Sequence, residues 1–339
     1  MLFKNLFISS LIISSTFLFS NSLPVFAKNE VKLNQKNQSE IQKVLKNIQE
    51  KDPQKPISQK LKVNKNNENE LISEQSDNFQ IKFELQNKKI NLKNKQKGDI
   101  SVGIPNSEQM DSVDLVEDKL VYSGKDAKFE VIVEAIDGGM RQVINIKDNS
   151  APDFYDFPVE LGLDEKLVIN TDGSADFIKS NKIVKATIGK PWAKDVNGKD
   201  LKTSYSVENG NILRQKIELK DAVFPVVADP IWCGNQISSV QWQGWRNPIS
   251  LGVIPTYCGR FLSNDTWAAW SELYSMTPYH WQWNWEERSY GTTKYWSMYN
   301  QFICHQNNAA AQILEGEWNL EPSRPNVGLQ ATYWALCNP

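Results

Sequence analysis

The sequence predicts a multi-domain chain: an antiparallel all-β domain, then a small disulfide-stapled α+β domain, with a disordered N-terminal spacer ahead of both. Three observations predict it. Short alternating segments separated by Gly- and Asn-bearing turns fill the middle of the chain. All four cysteines and eleven of the twelve tryptophans fall between residues 231 and 339. Residues 28 to about 75 are mainly Lys, Asn, Gln and Glu, with few aliphatics and no aromatics. The expected divisions are 1–27, 28–77, 78–230 and 231–339.

The first division reads as a secretory signal peptide. Lys4 is a short basic start, an apolar run extends from Leu6 to about Phe19, and Val25-Phe26-Ala27 offers small residues at a cleavage site. The run is short for a membrane span, and no later stretch is apolar enough for one. The expectation is a secreted, extracellular protein with no stable membrane insertion once the signal is cut. An even number of cysteines outside the cell suggests two disulfides, and spacing alone leaves three pairings open. A net charge of −2 and a pI of about 5.9 argue against a nucleic-acid partner, which calls for a concentrated basic patch.

The polar stretch 28–77 cannot bury enough apolar surface to offset its chain entropy. Ile41, Val44, Leu45 and Ile48 have helical spacing, which allows a transient helix. The β pattern then begins. KFEVIVEAI and MRQVINI flank Asp137-Gly138-Gly139, and glycine accepts the positive φ that a tight hairpin needs. TSYSV and ILRQKIEL flank Glu208-Asn209-Gly210-Asn211, and KLVINT and SADFIK flank Asp172-Gly173. DVNGKD has calcium-loop residue types without the spacing or terminal Glu of an EF-hand, so it reads as an Asn-Gly turn. Nothing in this domain suggests chemistry.

Past Val226-Val227-Ala228-Asp229-Pro230 the composition changes. Lys294 is the sole lysine, and both histidines are here. ISSVQWQGW and PISLGVIP suggest a hairpin across Arg246-Asn247. Asn264 or Asp265 can cap a helix through Tyr274, and Thr292 or Thr293 a longer one through about Ala311. The two prolines flanking Arg324 suggest an irregular segment at 317–327.

The strings SLGVIPTYCGR, WSELY, MYNQFICHQ, EWNLEPSRPNVG and the terminal CNP resemble the domain-of-unknown-function 2599 family of exported Gram-positive proteins. The resemblance covers about 231–339. The β-rich module before it, with PWAKDVNGK and FPVVADP, resembles one common in secreted bacterial proteins. The family carries no established activity, so the resemblance implies compartment and fold neighbourhood but no catalytic residue. It also implies the pairing Cys304–Cys337 with Cys233–Cys258.

Candidate chemistry centres on Glu272, His305, Glu321, Arg324 and Arg260. Two carboxylates across a cleft could perform acid/base work on a glycosidic bond, and an aromatic setting would raise one of their pKa values. The alternative is that Glu272 is a helix-surface group and Glu321 pairs with Arg324 or Arg260. A bridged Cys304 cannot act as a nucleophile, and no G-x-S-x-G motif is present. The histidines lack metal-site spacing, so neither a metal nor a cofactor is expected. In HWQWNWEE, Trp281, Trp283 and Trp285 alternate with polar residues, so an extended ribbon would collect the indoles on one face. Such a face could stack on sugar rings or form core. The expected function is a binding or effector module for a cell-wall or other glycan ligand. The alternatives are a hydrolase or antibacterial toxin using a Glu/His pair, or a structural extracellular protein. Oligomeric state is left open.

Overall fold

Alternation and turn chemistry build most of this protein. The computed structural model describes residues 38–52, 56–74, 76, 78–180, 183–262, 266–278, 293–308 and 316–339. The expected signal peptide at 1–27 and the start of the spacer lie outside them. Among the described residues no helix is long and apolar enough to cross a membrane.

Two large antiparallel sheets share one core. The first has eight strands, in the spatial order β1 (Leu61–Asn64), β2 (Asn67–Ser73), β3 (Phe79–Glu84), β4 (Lys89–Asn94), β5 (Ile100–Gly103), β10 (Phe154–Glu160), β16 (Ile212–Ile217) and β15 (Thr203–Glu208). The second runs β11 (Glu165–Ile169), β12 (Ala175–Lys179), β13 (Ile183–Ile188), β18 (Ile231–Cys233), β9 (Gly139–Ile146), β8 (Phe129–Ile136), β7 (Lys119–Ser123) and β6 (Ser112–Val116). A short pair, β14 (Trp192–Lys194) and β17 (Val226–Asp229), joins it, with β17 on β9. Pro230 separates β17 from β18, because it has no N–H to continue the ladder.

The three β-domain hairpins read from sequence form as expected: β8 pairs with β9, β11 with β12, and β15 with β16. In β3, Phe79, Ile81 and Phe83 point inward while the residues between are half-exposed. They meet Tyr122, Phe129, Val131 and Val133 of the second sheet in the shared core. Burying each such side chain stabilises the fold by about 1.5–3 kcal/mol.

The second sheet is buried on its other face too, and this corrects the expected spacer. From Gln38 onward the described part of 28–77 is ordered. Gln38–Lys51 form helix α1, and β1 and β2 belong to the first sheet. Val44, Leu45 and Ile48 of α1 pack on Val116, Val121, Ile132, Val143 and Val227. Beside this contact Arg141, itself buried, donates to Asp52 just past the helix. It also pairs with Glu134 at 2.6 Å and approaches Asp229 at 3.9 Å. Burial pushes the Asp229 carboxyl well above the usual range, with Arg141 opposing and Asp52 and Glu134 adding to the shift. Composition predicts disorder because it counts the segment's own apolar surface; the helix borrows its stability from a sheet face already apolar.

The C-terminal domain is α+β. Strands β19 (Ile237–Gln243), β20 (Ser250–Pro255) and β21 (Trp318–Leu320) form a small sheet, so part of the segment expected to be irregular is a strand. A π-turn covers Cys258–Leu262, and after it come α2 (Thr266–Met276), α3 (Thr293–Asn308) and α4 (Leu329–Trp334). Its core joins Trp270, Leu273, Met298, Phe302 and Trp318. Trp270 Nε1 donates to the Tyr295 hydroxyl at 2.7 Å, which satisfies the polar end of a buried indole. The disulfides are Cys233–Cys258 and Cys304–Cys337.

The tip of the β8–β9 hairpin plugs into this domain. Gly138 O accepts from Gly234 N and Asn235 N, at 3.0 and 2.8 Å, and Asp137 Oδ2 accepts from Tyr257 N at 2.9 Å. Gly138 has φ +84°, and a Cβ there would lie 2.2 Å from Asn235 O. The two glycines therefore serve the docking as well as the turn.

Candidate functional site

The five charged candidates fall into three groups. Glu272 sits on α2 with 3 % exposure, facing the β-domain. Its Oε1 accepts from the backbone N–H of Gln236 and Ile237 at 2.8 and 3.0 Å, and its Oε2 accepts from Lys97 Nζ at 2.5 Å. Lys97 belongs to the turn between β4 and β5. The WSEL motif thus places a carboxylate where it anchors the first residues of β19 and ties the two domains together.

His305 and Arg260 meet at Trp318. The His305 ring stacks on that indole at 6.1 Å between centroids and 13° between planes, and the Arg260 guanidinium lies 5.7 Å from the ring centre. Arg260 also donates to Gly316 O at 2.9 Å. His305 is buried and Trp318 fully so, which makes this stack part of the core.

Glu321 and Arg324 form the third group. Arg324 Nε donates to Glu321 Oε2, the pairing that the sequence offers as the alternative to an active site. Gln301 clamps the backbone of Glu321, donating to its O at 3.0 Å and accepting from its N–H at 2.7 Å. Ser297 donates to Arg324 O at 2.9 Å. Ser297, Gln301 and His305 recur every four residues on α3, so one helix face holds the whole segment from Trp318 to Arg324. Sequence reading missed Ser297 and Gln301. Their four-residue spacing is the available signal, a polar stripe beside the apolar row of Tyr295, Met298 and Phe302.

Trp281, Trp283 and Trp285 lie outside the described residues. Trp267 on α2 is 46 % exposed, with its ring edge-on to Tyr299 at 5.9 Å. It borders a cleft of about 580 Å³ between α2 and the β-domain. Ser271 and Ser275 continue the α2 side, Ile183 at the start of β13 lies on the β-domain side, and Lys97 and Glu272 also line it. Such a volume at a domain seam, with an apolar wall and a few polar groups, is typical of small-molecule sites.

No curated protein and no solved structure matches the chain. Residues 237–339, from the first residue of β19 to the C-terminus, match the family model described as a protein of unknown function (DUF2599).

Proposed function

We propose that the protein is an extracellular binding protein that holds a glycan, such as a cell-wall glycan, in the cleft between α2 and the β-domain and performs no reaction on it. The observation that carries this reading is Trp267: a half-exposed indole lining a cleft of about 580 Å³. Indole faces stack on the apolar face of a sugar ring, and serine hydroxyls can read its hydroxyl groups. Two disulfides suit an extracellular setting. The hydrolase alternative gains no comparable support. Glu272 is occupied by two backbone amides and Lys97, His305 is packed against Trp318, and Glu321 is paired with Arg324.

The test is a pull-down of the whole chain on purified peptidoglycan, with a glycan array alongside. Retention that falls at least tenfold in Trp267→Ala, without change in the thermal transition, is the expected result. Retention indifferent to Trp267→Ala, or sugar release abolished by Glu272→Gln in a folded variant, would overturn it.

A further inference from the structure

Resting on the cleft reading above, we infer that the ligand is an uncharged linear saccharide that runs along α2 and touches it over at least two rings. The first support is charge. Among the described residues lining the cleft, Lys97 and Glu272 alone are ionisable, and they pair at 2.5 Å with side chains 12 % and 1 % exposed. Their charges cancel. A phosphate or carboxylate polymer would surrender hydration on entering and meet no net counter-charge. A neutral sugar gives up only the weaker hydration of its hydroxyls, which the serines can replace.

The second support is spacing. Trp267, Ser271 and Ser275 stand four residues apart on α2, and all three are exposed. A rise of 1.5 Å per residue sets them about 6 Å apart along the helix axis, on neighbouring turns of one face. The order is therefore indole, hydroxyl, hydroxyl. Ser275 Oγ donates its proton to Glu272 O at 2.7 Å, so what the hydroxyl can offer a ligand is an acceptor. One ring stacks on Trp267, the next reaches the serines, and Ile183 offers apolar contact from across the cleft. A single sugar satisfies only one end of this row.

The experiment is calorimetric titration of the whole chain with N-acetylglucosamine oligomers of one to four rings, and with polygalacturonate as an anionic probe. Affinity should rise at least tenfold from one ring to two, and polygalacturonate should not bind. Trp267→Ala should weaken every oligomer at least tenfold. Ser271→Val should weaken the two-ring ligand and leave the single sugar unchanged. Equal affinity for one and two rings, or Trp267-dependent binding of polygalacturonate, would overturn this inference while leaving the cleft reading standing. Absence of binding by all probes, or binding unchanged in folded Trp267→Ala, would overturn both.

Discussion

Replacing Glu272 by alanine separates an anchoring carboxylate from a catalytic one. The substitution strips the acceptor from two buried amides, those of Gln236 and Ile237. Each orphaned buried N–H costs about 1–3 kcal/mol. It also leaves the Lys97 ammonium without its carboxylate, and breaking a buried ion pair costs about 3–5 kcal/mol when the remaining charge cannot escape. Lys97 lines the cleft and can turn toward water, so its share is the smaller one. The expected loss is about 4 kcal/mol. Glu272→Gln keeps an amide oxygen for the two N–H groups and loses only the ion pair, so about 2 kcal/mol is expected. The assay is urea unfolding monitored by tryptophan fluorescence, which reports the C-terminal domain because ten of the twelve indoles lie beyond Ile237. A double-mutant cycle with Lys97→Met should return a coupling of about 1–3 kcal/mol. A loss below about 1 kcal/mol for Glu272→Ala, or equal losses for Ala and Gln, would refute the anchoring role.

Asp229→Asn tests the buried charge cluster through pH. Burial raises the Asp229 pKa, so the folded state holds this proton more tightly than the unfolded chain. That contribution is complete below the ordinary carboxylate value of about 4 and is lost as pH rises through the folded value. The asparagine imitates the protonated form, so it should raise the melting temperature at neutral pH and make no difference below about pH 4. A variant that is less stable at both ends would contradict this. Gly139→Ala would set a Cβ 2.1 Å from Trp232 O, a backbone atom that cannot step aside. A loss above about 2 kcal/mol is expected in the same urea assay. Ile48→Ser should release α1, seen as faster hydrogen exchange over residues 38–51 with the sheet strands still protected, at a cost of about 2 kcal/mol.

Much of the β-domain is legible locally. A hairpin is a short-range object, and Asp137-Gly138-Gly139 with its alternating flanks contains nearly all the information its turn requires. Helix α3 is legible for the same reason, since Tyr295, Met298 and Phe302 recur at helical spacing and all are buried in it, whereas the six-residue α4 is too short to show a period. The illegible parts depend on partners distant in sequence. Lys97 and Glu272 are 175 residues apart, and no local pattern connects them. The order of α1 escapes a reading of its own composition because its partner is the outer face of β8 and β9. The continuous run Phe-Glu-Val-Ile-Val-Glu-Ala-Ile carries a hint: Val131 and Val133 serve the core between the sheets, while Ile132 serves the helix. Composition sets the domain boundary at 231, because Trp232 and Cys233 are residue types that the C-terminal domain concentrates. They nevertheless complete β18, whose neighbours are β9 and β13.

Cutting the gene at the family boundary would produce a polypeptide with an odd thiol. A fragment starting at Ile237 keeps Cys258, Cys304 and Cys337 but leaves behind Cys233, to which Cys258 is bonded. It also loses Gly234, Asn235 and Gln236, which carry three of the backbone amides linking the hairpin tip and Glu272 to this segment. During oxidative folding the unmatched Cys258 would compete for Cys304 and Cys337, and trapped mispaired chains are the natural product. The unit that sequence comparison delimits and the unit that a cell must oxidise correctly are therefore different lengths. A fragment for expression should start well before Cys233 and carry the β8–β9 hairpin with it.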